Sequence, residues 1–332
     1  MVVNNKKKSK HRGLWRWVVA LVLITIVFLV EINREWIEDY WRGITFEPSD
    51  GIAAIRDKLG LADYGMFLFN ASNPVLSDSE EFNDKCRFEK DEEEAILGCY
   101  LDKDIYIYNI VDEKLDGIRE CTAAHELLHA VWKRMGEEER KAYVDSLSLV
   151  YEQNKDYLEE ELGVYDNNER SEELYVRAGT EVKKLPADLE RHFAKVFKDQ
   201  DKVVGYYDKY IAVFRDLQAE LDALEAEMNE IKLEINTREG EYSNRLARLN
   251  AEIDEFNSCA ETAGCFSSQW AFDQRRSVLI GEQRALTSLY ERIEELINTY
   301  NQKVDKYNED VLSNNKLNQI INSASTVEEL SK

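Results

Sequence analysis

The feature of this sequence that most constrains its fold is an apolar repeat in its last third. From residue 203 onward, apolar side chains recur in steps that alternate between four and three residues. This alternation is the spacing of a coiled-coil seam, so it predicts long helices that pack along one stripe. The first seam contains Val203, Tyr207, Tyr210, Phe214, Leu217, Leu221, Leu224, Met228, Ile231 and Ile235, and resumes after Tyr242 at Leu246, Leu249, Ile253 and Phe256; the second contains Phe272, Leu279, Leu286, Leu289, Ile293, Leu296, Tyr300, Val304, Tyr307 and Val311.

The break between the two seams predicts a turn. Cys259 and Cys265 bracket a short segment that contains a glycine, and a disulfide between them would fix a tip near residues 257–268. We therefore predict that residues 201–312 form an antiparallel coiled-coil hairpin, followed by a flexible tail over 313–332. A parallel homodimer through one seam is the alternative. The tip is expected to dock a protein partner in the cell envelope or to act as a spacer.

An apolar run near the N-terminus predicts a membrane anchor. Residues 14–32 are almost entirely apolar and long enough, as a helix, to cross a bilayer. Arg16 and Glu31 stand near the two ends, where their charged groups can reach the headgroups. No small-residue cleavage pattern follows, so we predict an uncleaved signal anchor rather than a removed signal peptide. Residues 33–50 are predicted to be a juxtamembrane linker with aromatic side chains at the interface.

The charge distribution predicts the orientation of that anchor and excludes one class of partner. Residues 1–16 contain six Lys and Arg side chains and no acid, so the basic tail over 1–13 is expected to stay in the cytoplasm and the body outside. The whole chain has a net charge of −23. A body this acidic repels phosphate groups, so we exclude nucleic-acid binding.

The five cysteines fit an oxidising compartment outside the cytoplasm. Cys86 and Cys99 bracket an acidic stretch and are predicted to form a second local disulfide. Cys121 is left over and is predicted to be a buried thiol, because it lies within an apolar helical pattern. Metal binding by these cysteines is disfavoured, since no pair is separated by only two residues.

Residues 51–200 are predicted to form an α+β domain with a small sheet and a helical core. Gly65–Phe69 reads as a buried strand, and residues 95–100 and 105–110 read as a β-hairpin. Helices are expected over 117–134, 137–162, 169–184 and 187–197.

One motif in this domain contains residues that can bind a metal ion and act in catalysis. His125 and His129 are four residues apart, so on a helix their imidazoles lie on one face and can bind the same zinc ion. Glu126 lies between them, too far round the helix to be the third ligand but able to reach a water beside the metal and act as general base. The neighbouring residues are uncharged, and burying these three polar groups without a partner would be costly. The alternative is two histidines that are hydrogen-bonded in a core.

This segment resembles the zincin metallopeptidases. Their extended helix motif asks for Thr or Val three residues before the first histidine and for uncharged residues around it, and Thr122 and Val131 comply. The resemblance covers about residues 50–200. The metzincin branch is excluded, because Trp132 and Met135 stand where it requires Gly and His. The resemblance implies a gluzincin-like arrangement, in which the third zinc ligand is a glutamate on a later helix.

Several residues are candidates for the remaining roles. Glu173 is the preferred third ligand, Glu181 is the alternative, and Glu172, Asp166 and His192 are further candidates. An oxyanion stabiliser is expected among Tyr175, His192, Tyr165 and Arg177.

The sequence thus predicts a membrane-anchored, extracytoplasmic zinc peptidase that cuts peptide or protein substrates. Two alternatives stay open at this point. One is a coiled-coil adaptor of the cell envelope with a structural or inert zinc site, and the other is a zinc amidase that acts on cell-wall peptide.

Overall fold

The chain is mostly helical and carries one small sheet. A computed structural model describes residues 11–86, 96–163, 165 and 167–322. The described helices are α1 (His11–Ile32), α2 (Arg34–Thr45), α3 (Asp50–Leu59), α4 (Asp63–Ala71), α5 (Ser79–Lys85), α6 (Ile118–Arg134), α7 (Glu137–Ala142), α8 (Val144–Gln153), α9 (Lys155–Leu162), α10 (Asn167–Glu181), α11 (Ala187–Phe193), α12 (Gln200–Glu261) and α13 (Gln269–Ile321). The described strands are β1 (Val75–Ser77), β2 (Gly98–Leu101) and β3 (Asp104–Tyr108).

Helix α1 contains the predicted anchor. Its segment Trp15–Ile32 is long and apolar enough to cross a membrane by length and composition, and its side chains are exposed. The first ten residues of the predicted basic tail lie outside the described residues. This helix therefore agrees with the predicted span, while its orientation stays a prediction.

Residues predicted as a linker form helix α2 and contribute to the folded body. Asp39 is buried and accepts hydrogen bonds from Arg134 of α6, at 2.7 Å from Nε and 2.8 Å from Nη2. The Nε of Arg42 donates to the backbone oxygen of Ala71 at 2.7 Å, which ties α2 to the end of α4. The aromatic side chains of α2 are exposed on its other face.

The sheet has the strand order β1-β3-β2. β2 and β3 pair antiparallel, with Cys99 opposite Tyr106, so the predicted hairpin is confirmed; Ala95 lies outside the described residues. β1 pairs parallel to β3 and was not predicted. The predicted strand Gly65–Phe69 is wrong, because these residues belong to α4. Burial there recurs at 65, 68 and 69, a helical period that a short apolar run does not reveal in advance.

The helices that follow α6 in this domain are more numerous than predicted. The helix predicted over 137–162 is divided into α7, α8 and α9, with breaks at Tyr143 and Asn154. Helix α6 lies within its predicted range, whereas α10 begins at Asn167, two residues before the predicted start, and ends at Glu181, before the predicted end at 184. Buried apolar side chains from α3, α4, β3, α6 and α8 to α12 form one core, in which α6 is central: Ile52, Ile55, Leu68, Phe69, Ile105, Ile107, Leu127, Leu128, Val131, Val150, Leu158, Tyr175, Val176, Leu189, Phe193 and Val203.

The long C-terminal helix pair is confirmed. Arg245 of α12 pairs with Glu282 of α13 at 2.8 Å, and Lys306 pairs with Glu220 at 3.1 Å, so the two helices run antiparallel. Seam residues Leu249, Leu279 and Leu286 are buried together, and partly buried seam residues pack against them, whereas Leu246 is exposed. Residues Val213–Asn318 form a compact unit of their own, which begins later than the predicted boundary at 201.

The ends of this pair also differ in detail from the prediction. Helix α13 continues to Ile321, so the first part of the predicted tail is helical, and residues 323–332 lie outside the described residues. Both predicted disulfides, Cys86–Cys99 and Cys259–Cys265, are present, and Cys121 is a buried free thiol as predicted.

Candidate metal centre

Helix α6 places His125 and His129 side by side. The two rings lie one turn apart with their centroids 5.0 Å from each other. The opposite face of α6 carries Leu127, Leu128 and Val131, which are fully buried and fix the helix in the core. The side chains of His125 and His129 are 21% and 19% exposed, so the site is reached from solvent.

Helix α10 brings Glu173 to the two histidines. One carboxylate oxygen of Glu173 lies 3.5 Å from Nε2 of His125, and the other lies 3.5 Å from Nε2 of His129. The two helices approach closely because position 179 is a glycine: a Cβ there would lie 2.4 Å from Cδ1 of Leu128. Glu173, the preferred third ligand, therefore faces the Nε2 atoms of both histidines.

This arrangement could hold a metal ion. The candidate ligand atoms of His125, His129 and Glu173 all lie within 4.8 Å of one another. Tetrahedral zinc with bonds of about 2.0–2.1 Å separates its ligand atoms by about 3.3–3.4 Å. The two nitrogen-to-oxygen distances of 3.5 Å, which join each histidine to a different oxygen of Glu173, are close to that edge length. Among the residues that the structure describes, this group combines two imidazoles and one carboxylate around a single point.

Glu172, a further candidate for the third ligand, has a different place. Its Oε1 lies 2.9 Å from Nδ1 of His129, and its Oε2 accepts a hydrogen bond from Lys133 at 2.6 Å. A histidine that donates from Nδ1 to a carboxylate presents the lone pair of Nε2 to a metal. Glu172 thus orients His129, and Lys133 holds Glu172 in turn. The sequence interpretation missed this role, although the adjacent Glu172 and Glu173 were a signal for it.

The electrostatics of the site favour a bound cation. Burial lowers the pKa of His125 to about 3, so this ring is neutral and offers a free lone pair. Burial opposes charge on His129 as well, but the hydrogen bond to Glu172 and the negative charges of Glu126 and Glu173 raise its pKa to about 9. Although burial opposes it, the neighbouring histidines and Arg177 lower the pKa of Glu173. The carboxylates therefore create a negative potential at the two rings.

Glu126 lies on the strand side of α6 and is buried. A Cβ at Gly98 of β2 would lie 2.8 Å from Oε1 of Glu126 and 2.6 Å from Cγ2 of Thr122. Only glycine lets the strand come this close to the motif. Glu126 is thereby confined between α6 and β2, which is one of the two edge strands of the described sheet. Gly98 is a site residue that the sequence interpretation also missed.

The alternative ligand Glu181 belongs to a neighbouring network. Arg177 donates from Nε to Glu173 at 2.9 Å and pairs with Glu181 at 3.3 Å. Tyr157 donates to Glu181, and the hydroxyls of Tyr157 and Tyr207 are 2.6 Å apart. Burial raises the pKa of Glu181 to about 7. Glu181 is therefore engaged with Arg177 and Tyr157, and Arg177 fixes the side chain of Glu173.

The predicted oxyanion stabilisers Tyr175 and His192 are occupied with each other. Nε2 of His192 is 2.8 Å from the hydroxyl of Tyr175, and Nδ1 is 3.0 Å from that of Tyr143. Burial lowers the pKa of His192 to about 4. Tyr175 is two residues after Glu173 and so faces another side of α10. The structure does not bring these residues to the histidine pair, and Asp166, a further candidate ligand, lies outside the described residues.

Substitution of Glu172 tests its role in orienting His129. We expect Glu172→Gln to weaken zinc binding by about 10–100-fold, because carboxylates behind a ligating histidine typically contribute that much. Zinc affinity would be measured by competition with a chromogenic chelator. Glu159→Gln is the control, since Glu159 pairs with Arg170 at the start of α10 at 3.5 Å. Equal affinity of both variants and the wild type would remove Glu172 from the site.

Comparison with known proteins finds no protein family, no curated protein and no solved structure that matches this chain.

Proposed function

We propose that this chain is a membrane-anchored zinc peptidase of the zincin type. The observation that carries the proposal is the group of His125, His129 and Glu173, in which one oxygen of Glu173 lies 3.5 Å from Nε2 of His125 and the other lies 3.5 Å from Nε2 of His129. Imidazole and carboxylate donors suit zinc.

The number of ligands supports a catalytic rather than a structural metal. Structural zinc sites generally have four protein ligands, whereas catalytic sites have three and leave one position open. The candidate group has three, from α6 and α10. Its two histidines are partly exposed, which allows a substrate to approach. These features favour an enzyme over an adaptor with an inert metal.

The proposed mechanism gives each residue one task. His125, His129 and Glu173 would hold zinc, which would supply Lewis-acid activation of the attacking water and of the scissile carbonyl. Glu126 accepts the proton of the attacking water and then delivers it to the leaving amine. Glu172 keeps the ring of His129 in position, and Arg177 does so for Glu173.

The position of the sheet supports a peptide as substrate. β2 is an edge strand of the described sheet and lies against Glu126 through Gly98. An extended peptide can add to an exposed edge strand through backbone hydrogen bonds. Bound in this way, its carbonyl groups would run past the general base. Cell-wall peptide would use the same chemistry, so the choice of substrate separates a peptidase from an amidase.

Loss of metal is expected to abolish the activity. The full chain in detergent, incubated with a mixture of random-sequence peptides, should release new amino termini. 1,10-Phenanthroline should stop the release, and added zinc should restore it, because Glu126 has no activated water without the ion. Cleavage of cell-wall peptide alone would instead support the amidase, and hydrolysis that is insensitive to the chelator would contradict a metal-dependent mechanism.

The proposed location is a single-pass membrane protein with its body outside the cytoplasm. The apolar helix Trp15–Ile32, the basic residues before it and the two disulfides support this location. Protease added to intact cells or spheroplasts is expected to digest the body. Protection until the cells are lysed would place the body in the cytoplasm.

A further inference from the structure

The connection between the apolar helix and the body is helical. The backbone N–H of Asn33 donates to the oxygen of Leu29 at 3.1 Å, and that of Ile37 donates to the oxygen of Asn33 at 2.9 Å. The hydrogen-bonding pattern of α1 therefore runs through Asn33 into α2. A flexible linker, which would let the body move away from the membrane, is not present between Ile32 and Thr45.

Helix α2 carries an exposed apolar face that begins at the level of the headgroup layer. Trp36 and Trp41 are each 61% exposed, and Tyr40 and Ile44 are exposed as well. Trp36 follows Ile32 by four residues, or about 6 Å of helix. The interfacial layer on each side of the hydrocarbon is about 5–7 Å thick and is enriched in Trp and Tyr. Continuity with the apolar helix therefore places Trp36 among the lipid headgroups, whereas Trp41 and Ile44, about 14 and 18 Å beyond Ile32 along the helix, reach them only where the helix is tilted.

The opposite face of α2 is bound to α6, the helix that carries His125 and His129. Asp39 binds Arg134 of α6 with two hydrogen bonds of 2.7 and 2.8 Å, and Arg134 also donates to the hydroxyl of Tyr100 at 2.8 Å. Glu38 pairs with Lys103 between the strands of the hairpin at 2.7 Å. These contacts tie α2 to both α6 and the sheet.

The ion pair between Asp39 and Arg134 limits how far the metal site lies from the membrane. Asp39 follows Ile32 by seven residues, about 10 Å along the helix, and less along the membrane normal if the helix is tilted. His129 precedes Arg134 by five residues, about 7 Å along α6. One ion pair joins these two short segments. Together with the side chains of this ion pair and the widths of the two helices, these segments hold the metal site within about 30 Å of the hydrocarbon edge.

We propose that the substrate is the membrane-proximal segment of a polypeptide that is itself bound to the membrane. This inference rests on the proposed peptidase function. Because the metal site is held close to the membrane, substrate segments that are tethered to the same membrane by short spacers have a raised effective concentration at the site. This advantage falls steeply as the spacer lengthens. Freely soluble peptides have no such advantage.

The test uses the full chain in zinc-loaded phosphatidylcholine vesicles. Random-sequence decapeptides are tethered to lipid through spacers of about 10 or 100 Å, and cleavage is followed by mass spectrometry. We expect at least tenfold faster cleavage with the short spacer. A flexible Gly/Ser insertion of about 60 residues between Ile32 and Asn33, with a root-mean-square span of about 40 Å, should remove most of that preference. Cleavage of soluble peptides should not change.

A second measurement, which does not depend on catalytic activity, accompanies the cleavage assay. Glu137, just after Arg134, is exposed, so Glu137→Cys can carry a fluorescent donor. We expect strong energy transfer to acceptor-labelled headgroups, and weak transfer in the insertion variant. Equal cleavage with both spacers, or equally weak transfer in both proteins, would overturn the membrane-proximal substrate while leaving the peptidase in place. No cleavage of any peptide would overturn both proposals.

Discussion

Glu126→Gln is expected to lower peptide hydrolysis by about 10²–10⁴-fold while leaving the bound zinc in place. The amide keeps the size of the side chain in the narrow space beside Gly98 but cannot accept the proton of the attacking water. Hydrolysis would be measured from the rate of new amino termini, and zinc by atomic absorption on the same sample.

Glu120→Gln is the matched control for this variant. Glu120 is also a buried glutamate on α6, but it pairs with Lys58 at 2.7 Å, away from the histidines. Its substitution should leave hydrolysis within a few-fold of the wild type. If Glu126→Gln cleaves as fast as Glu120→Gln, Glu126 is not the general base.

Glu173→Gln is expected to release the metal. Loss of a partner behind a ligand already costs about 10–100-fold in affinity, so loss of a charged ligand should cost more than about 100-fold. The amide can still accept the hydrogen bond that Arg177 gives to Glu173 at 2.9 Å, which limits damage to the fold. Competition with a chelator gives the affinity, and circular dichroism checks that the helices remain.

Glu181→Gln tests whether the third ligand is Glu173 or its neighbour Glu181. Glu181 lies on the same helix, is buried as deeply and shares Arg177 at 3.3 Å. Its substitution should retain zinc with an affinity near that of the wild type. The reverse result, with zinc lost from Glu181→Gln and kept by Glu173→Gln, would mean that the third ligand is Glu181.

The parts of the structure that local periodicity determines could be predicted from the sequence. The spacing of His125 and His129 required a helix, and α6 is that helix. The heptad repeats required two long helices, and α12 and α13 are present with both disulfides. Glu173 could be ranked first among the acids from the family resemblance, and it lies beside the two histidines.

The parts that depend on tertiary contacts could not be predicted. Residues 65–69 have a short apolar run that suits a strand, yet packing in the core makes them helical. Helix α2 was interpreted as a linker, because the sequence does not show that Asp39 meets Arg134, 95 residues away. Glu172 and Glu173 are neighbours in sequence, and only the packing of α10 on α6 assigns them different roles.

Zinc X-ray absorption on the purified full chain tests the central claim most directly. We expect about one zinc per chain, with two imidazole nitrogens and one carboxylate at about 2.0–2.1 Å and a further light atom from water. His129→Ala should lose this signal. A chain that holds no zinc after mild purification and zinc exposure, or one whose zinc is bound by sulfur, would contradict a metal centre at His125, His129 and Glu173.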